Sequence, residues 1–378
     1  MRDRLLRTAL LFCAVAGLGQ QPAPSNVRGG EYPKILPDRR VVFRVNAPCA
    51  RTVSVAGRAG DSGMNGNKPH AMTRGEGGVW TVTTDPVRPG FHYYELIIDS
   101  LHCNDPASES FFGWGQETSG LEVPDESLDF YDSRDVPHGE VRFRWYRSTV
   151  TGTVRRACIY TPPDYERDTA RRYPVLYLQH GAGESERAWT SQGRANFILD
   201  NLIAAGKAEP MILVMENGYA IKAGAEPEPG SRGNEAFGNL VTEDLIPMID
   251  AEYRTAADRD HRAIAGLSMG AGQALRTGLG RLDLFSCVAA FSGGGRGFDP
   301  KRSFNGAFAN PDSVNRRIRL LWIGCGTEDR GYAPAKAFHE ALTACGIRHV
   351  WFDGPGSHEW QVWRKHLHDL ASRLFRKS

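Results

Sequence analysis

The stretch Gly266-Leu267-Ser268-Met269-Gly270 constrains what this chain can fold into more than any other. Ala263-Ile264-Ala265 before it is a short apolar run that reads as a buried strand, and residues 271–277 after it read as the start of a helix. A Gly-x-Ser-x-Gly pattern between a strand and a helix predicts a sharp, strained turn that pushes the serine outward at the helix N-terminus. The glycines answer to backbones that pass close together at such a turn. In a chain with 42 glycines the bare pattern is a weak signal, so the strand-turn-helix setting carries the weight.

The surrounding region, 141–378, repeats the theme. Apolar strand-like runs fall at 156–160, 174–178, 211–215, 261–265, 287–291, 318–323 and 349–352. Helical stretches at 195–205, 240–253, 333–344 and 360–375 separate several of them. Nearly all-apolar strands alternating with helices predict an α/β domain, a mostly parallel sheet covered on both faces. Residues 40–123 read differently. Short strands at 40–45, 52–56, 79–83 and 91–98, with turn clusters at 57–68 and 75–78 and no helix, predict a small all-β, immunoglobulin-like sandwich. Residues 124–140 are rich in Asp, Glu and Pro and read as a linker. The expected organisation is therefore a leader at 1–19, a β-sandwich module at 20–123, a linker at 124–140 and the α/β domain at 141–378.

A length of 378 residues suits two domains, and 41% hydrophobic residues suffice for ordinary cores. The formal charge is +2 with no long basic run, so nothing calls for nucleic acid or an anionic membrane. Arg2, Arg4 and Arg7 precede an apolar run over 8–18 that is too short to span a bilayer. That pattern predicts an export signal over 1–19, hence a secreted or periplasmic mature chain with no membrane span. Six cysteines follow Cys13 without the spacing of a compact disulfide framework. Cys158, Cys287 and Cys325 lie in apolar runs and read as buried thiols, while Cys49 with Cys103 is a conceivable pair. No Cys/His cluster has zinc spacing, and neither a metal nor a cofactor is expected. Oligomeric state is not legible.

A serine hydroxyl is a poor nucleophile until an imidazole takes its proton, and that imidazole needs an acid to fix its tautomer. In an open α/β sheet such groups sit in loops beyond the C-terminal ends of strands, here in the chain order Ser, acid, His. Glu328 and Asp329 follow the strand at 318–323, and Asp353 follows the next one; Asp329 is the preferred acid. Eleven histidines compete for the base. His358 follows the last strand and the loop 353–357, just before the final helix, where the base should lie. His366 and His368 sit inside that helix and read as surface or packing residues. His261 lies at the wrong end of its strand, and His70, His92 and His102 belong to the β module. A tetrahedral intermediate also needs two N–H donors. The expected donors are the amide of Met269 and that of Ala182, with Gly181 second, in the loop Gln179-His180-Gly181-Ala182-Gly183; His180 itself reads as structural.

The segments 173–183, Asp244-Leu245-Ile246-Pro247 with Tyr253-Arg254, 265–270 and Gly356-Ser357-His358-Glu359-Trp360 together resemble the esterase-D-like branch of the α/β-hydrolases. That branch includes feruloyl and acetyl-xylan esterases, S-formylglutathione hydrolases, enterochelin esterases and mycolyltransferases. The resemblance implies a nucleophile at Ser268, an acid at Asp329, a base at His358 and oxyanion amides at Ala182 and Met269. It also implies an aromatic near the substrate at Trp189, and Gly181 and Trp360 are expected to contact substrate beside it. Residues 37–48, Gly78-Val79-Trp80, 89–94 and Asp105-Pro106 look like the carbohydrate-binding module found before glycogen-branching enzymes.

The pairing resembles bacterial feruloyl esterases acting on arabinoxylan, so the expectation is an exported serine carboxylesterase with an ester-bearing polysaccharide as partner. Acetyl-xylan, siderophore-ester and acyl-transfer activities use the same residues, and a catalytically silent glycan-binding protein is the non-enzyme alternative. Trp80, Phe111, Phe112 and Trp114 offer aromatic faces to sugars. Trp80 is expected in the core, and 111–114 in a loop that is either exposed or packed on the second domain. The loop at 216–238 is expected to shape the acyl pocket.

Overall fold

The computed structural model describes residues 19–58, 62–64, 68–125, 127–227, 236–295, 297–306 and 308–376. The expected export segment falls almost wholly in 1–18, outside the described residues.

The N-terminal module is a sandwich of two antiparallel sheets. One runs Gln21–Pro22, Lys34–Ile35, Val41–Asn46, Val79–Thr83, Thr73–Arg74 in spatial order. The other runs Ser110–Gly113, Gln116–Val123, Gly90–Ile98, Val53–Gly57, His70–Ala71, with Leu101–Cys103 also on Gly90–Ile98. Val41, Phe43, Val55, Tyr94, Leu96 and Leu121 fill the space between them. Trp80 joins this core, and its indole N–H donates to the Ala47 carbonyl at 3.0 Å. Cys49 and Cys103 are free thiols, so the conceivable disulfide is not formed; Cys49 is exposed, while the Cys103 thiol faces the Leu96 carbonyl. The expected loop at 111–114 is instead a hairpin. Trp114 (φ 57°) and Gly115 (φ 83°) form its two-residue tip, a left-handed pair that matches the twist of the flanking strands.

The second domain is built on an eight-stranded sheet. Its strands are β1 (Glu140–Arg147), β2 (Val154–Thr161), β3 (Val175–Gln179), β4 (Ile212–Glu216), β5 (Arg262–Leu267), β6 (Cys287–Phe291), β7 (Leu320–Gly326) and β8 (Val350–Gly354). The spatial order is β1-β2-β4-β3-β5-β6-β7-β8. Pairings at the β1-β2-β4 end are antiparallel, and the rest are parallel. Central strands β3 to β6 are buried along their whole length because helices cover both faces. The covering helices are α1 (Ala195–Ala204), α2 (Ile246–Glu252), α3 (Met269–Gly280), α4 (Pro311–Arg317), α5 (Tyr332–Ala344) and α6 (Trp360–Ala371). β1 is an edge strand at the start of the domain that the sequence reading, whose first strand is at 156–160, did not identify. Its Phe143 and Trp145 stay half exposed, so its burial pattern carries little signal.

The segment expected as a linker does not hang free. Tyr131 is buried against the second domain, and Asn201 of α1 donates to the carbonyls of Phe130 (3.0 Å) and Asp132 (2.9 Å). The Gly139 amide donates to Asp200 at 2.9 Å. An aromatic pair inside an acidic stretch is what docks it. The sandwich docks too. Phe91 and Tyr93 belong to the same apolar cluster as Trp189, Trp360 and Trp363. Arg364 of α6 forms a two-pronged ion pair with Glu122 of the sandwich at 2.8 and 3.0 Å, with both side chains buried.

Candidate active site

Strand β5 delivers the chain to Ser268, and α3 starts at the next residue. Ser268 has φ 54° and ψ −110°, a sparsely populated conformation that a sharp strand-to-helix turn stores. The flanking glycines are explained by approach rather than by torsion. A Cβ on Gly266 would lie 2.4 Å from the Gly270 carbonyl oxygen, and one on Gly270 would lie 2.5 Å from the His180 carbonyl oxygen. Both neighbours are backbone and cannot swing away. The Ser268 amide donates to Phe291 of β6 at 2.8 Å, which pins the turn to the sheet.

Two further turns bring the candidate acid and base together. His358 precedes α6, and its Nδ1 lies 2.7 Å from Asp329 Oδ2 in the turn after β7. The other carboxylate oxygen accepts the Gly331 amide at 2.7 Å. Burial pushes the Asp329 carboxyl up, but the hydrogen bond and charge of His358 and the Gly331 amide outweigh it and hold the group below its ordinary value. The carboxylate thus fixes the Nδ1–H tautomer, which leaves Nε2 as an acceptor. Trp363 packs edge-on against the imidazole at 5.0 Å. Glu328 lies elsewhere: it is exposed and accepts from Arg88 of the sandwich at 2.8 Å. Asp353 accepts the Tyr332 hydroxyl at 2.7 Å.

The loop after β3 is held at nearly every polar atom. The Gly181 amide donates to Glu184 Oε2 at 2.9 Å. The Gly181 carbonyl accepts from His180 Nδ1 at 2.7 Å and from the Glu184 amide at 3.4 Å. His180 Nε2 accepts the Gly218 amide at 2.9 Å, which requires the Nδ1–H tautomer, and burial drives its pKa down to about 4. The Gly183 amide donates to Tyr219 Oη at 2.6 Å, and its carbonyl accepts the Gly115 amide of the sandwich hairpin at 2.8 Å. A planar peptide points its N–H opposite its C=O, so anchoring the Gly181 carbonyl aims the Ala182 amide the other way. Among the described residues nothing takes up the Ala182 amide, whereas that of Gly181 is committed. The Met269 amide, in the first turn of α3, has no intrahelical partner either.

Ser268, His358, Ala182 and Gly181 line one cavity of about 300 Å³. Trp360, Trp363 and Leu267 line it as well. Trp189 does not reach it. That residue is 1% exposed, donates its indole N–H to the Gln179 carbonyl at 3.1 Å, and stands edge-on behind Trp360. The expected substrate contact is therefore a core residue supporting a wall residue. The loop at 216–238 contributes no cavity-lining side chain among the described residues; its Tyr219 supports the loop at 180–184 instead. The sandwich supplies the missing wall, with Arg58, Phe91, Tyr93 and Trp114. Sequence reasoning offered packing on the second domain as one of two alternatives for 111–114 and gave no such contact for the rest of the module. A signal was present: strand Gly90–Ile98 has apolar residues on both faces, and only one can serve the sandwich core. Among the described residues no helix is long and apolar enough to cross a membrane, and no cluster of metal-ligating side chains occurs.

The Esterase family model matches residues 148–374. The chain belongs to this family. The endo-1,4-beta-xylanase/feruloyl esterase of Xylanibacter ruminicola is 37% identical over 365 residues, covering 94% of this chain and 47% of that protein. The chain thus spans about half the length of that relative. Among solved structures, a ferulic acid esterase from Anaeromyces mucronatus in complex with ferulic acid is similar at 29% identity and TM-score 0.57, covering 66% of this chain and 96% of its own. The enterobactin esterase of Shigella flexneri shares the fold at 20% identity and TM-score 0.63, over 88% of this chain and 92% of its own. That span is more than the second domain supplies, so the esterase shares its two-part layout as well as its α/β-hydrolase sheet.

Proposed function

We propose that this esterase is an exported serine carboxylesterase that removes feruloyl groups from arabinoxylan. The observation that carries the reading is the 2.7 Å bond between His358 and Asp329, made beside the cavity that Ser268 lines from its strained turn. Ser268 Oγ attacks the ester carbonyl carbon as His358 Nε2 takes its proton. The amides of Ala182 and Met269 hold the oxyanion. The intermediate collapses, the C–O bond to the sugar breaks, and His358 returns the proton to the leaving alcohol. Water, activated by the same imidazole, then releases the acid. An aromatic wall of Phe91, Tyr93, Trp114 and Trp360 supports a planar aromatic acyl group. The similarity to feruloyl esterases supports the same choice. Export rests on the basic and apolar pattern of the first residues.

Replacing Ser268 with alanine should lower kcat on a nitrophenyl ester by about 10⁵-fold or more, with an unchanged melting temperature. A folded, pure variant that keeps most activity would refute the assignment. Methyl ferulate should be turned over faster than acetylated xylan or a catecholate siderophore. Preference for either of the latter would move the substrate but keep the chemistry, and no turnover of any ester would leave a glycan-binding role.

A further inference from the structure

One acidic group in the cavity is unused by the reaction just described. Glu184 lines it, is 6% exposed, and has no cation within ion-pair distance among the described residues. Its Oε2 accepts the Gly181 amide, and its own amide reaches the Gly181 carbonyl. Both ends of Glu184 therefore grip the residue that precedes Ala182. The position a Gly181 Cβ would occupy lies 3.3 Å from Glu184 Oε2 and 3.5 Å from Ser268 Cβ. Leu267 Cδ1 lies 2.5 Å from the same position, so carboxyl, nucleophile and an apolar side chain all close in on the Gly181 backbone. The Trp360 indole also faces the carboxyl and reaches Tyr93 Oη of the sandwich at 3.4 Å.

We propose that Glu184 is a positioning residue of the esterase reaction: it holds the Gly181–Ala182 stretch so that the Ala182 amide stays free, and it does so as a neutral acid. The inference rests on the serine-esterase reading. A carboxylate this close to Ser268 would repel the oxyanion that forms there, in a site where water screens little. A neutral carboxyl accepts the same Gly181 amide without that repulsion. Burial favours the neutral form and pushes the group up to about 8, against the opposing pull of the Gly181 amide and Trp360. The other charged or titratable groups around the cavity are Arg58 and Tyr93 from the sandwich, Arg330 after β7, and His358 and Glu359 before α6. Behind the loop, His180 is buried, and Glu186 is tied to Arg156 at 2.7 Å. None of these forms an ion pair with Glu184. Activity should therefore fall as the pH rises through the region where Glu184 ionises.

The test is the pH dependence of kcat and KM for 4-nitrophenyl acetate, corrected for spontaneous hydrolysis, in wild type, Glu184→Gln and Glu184→Ala. Wild type should lose kcat above about pH 8, by about tenfold or more at the alkaline end. Glu184→Gln keeps an acceptor for the Gly181 amide but cannot ionise, so it should match wild type at pH 7 within about threefold and stay flat to pH 9.5. Glu184→Ala should lose about 10²-fold in kcat with KM little changed, as expected when an oxyanion donor is displaced. An alkaline limb retained in Glu184→Gln, or full kcat in Glu184→Ala, overturns the proposal. If Glu184→Ala does not fold, the Gln variant still decides it. If wild type and Ser268→Ala hydrolyse the ester equally, the serine-esterase reading has failed instead.

Discussion

Asp329 has both oxygens committed, one to His358 and one to the Gly331 amide, and its side chain is wholly buried. A buried carboxylate with such partners holds an imidazole in one tautomer and stabilises the imidazolium that forms during proton transfer. Asparagine has nearly the same shape but can donate to Nδ1, which favours the wrong tautomer. Asp329→Asn should therefore lower kcat on a nitrophenyl ester by about 10⁴-fold while circular dichroism stays native. Glu328→Gln should leave kcat within about threefold, because that exposed carboxylate pairs with the exposed Arg88. The reverse result would move the acid by one residue.

The element that matters most is the unit β5, Ser268 and α3. Its geometry depends on backbones in contact: the Gly266 position faces the Gly270 carbonyl, and the Gly270 position faces the loop after β3. Gly266→Ala places a methyl 2.4 Å from a carbonyl oxygen that cannot rotate away. The turn would have to open, at about 1–3 kcal/mol of overpacking or more. Urea unfolding should report that loss, with a larger proportional loss of kcat because Ser268 and the Met269 amide move together. An alanine variant with wild-type stability would mean that the turn is looser than described. The loop after β3 is a second such element. His180, Glu184, Tyr219 and the sandwich amide of Gly115 tie down this loop, and among the described residues nothing takes up its Ala182 amide.

On the scale of the molecule, the two modules share a buried seam. Arg364 pairs with Glu122, donates also to the Gln192 carbonyl, and lies over the Tyr131 ring at 4.5 Å. Removing one partner of a buried ion pair leaves an uncompensated charge, at about 3–5 kcal/mol. Arg364→Met should lower stability by about that amount, with some relief from Arg194, which lies 3.6 Å from Glu122. Sandwich and α/β domain should also melt in a single transition that intrinsic fluorescence and circular dichroism report alike. Two well-separated transitions would show that the seam couples the modules only weakly.

The α/β domain was legible because its signals are local: apolar runs, helix periods, and a serine between two glycines at a strand end. The positions of Asp329 and His358 followed from the same rule, since functional loops sit where parallel strands end. Their pairing did not, because 29 residues of sequence separate them and only the sheet brings both turns to one rim. Trp189 misled, since an aromatic near a site and an aromatic behind its wall look alike in a string of letters. Most of the sandwich wall was invisible for a related reason, although packing of 111–114 on the second domain was one of the two expectations. Phe91, Tyr93 and Trp114 lie far from Ser268 along the chain, and which face of a strand a second domain covers is settled by docking, not by alternation. The sequence by itself determined the two folds and the chemistry on offer. The tertiary structure alone decided which module walls the cavity and which carboxyl there has no counter-ion among the described residues, because both depend on contacts between segments that local propensity does not encode.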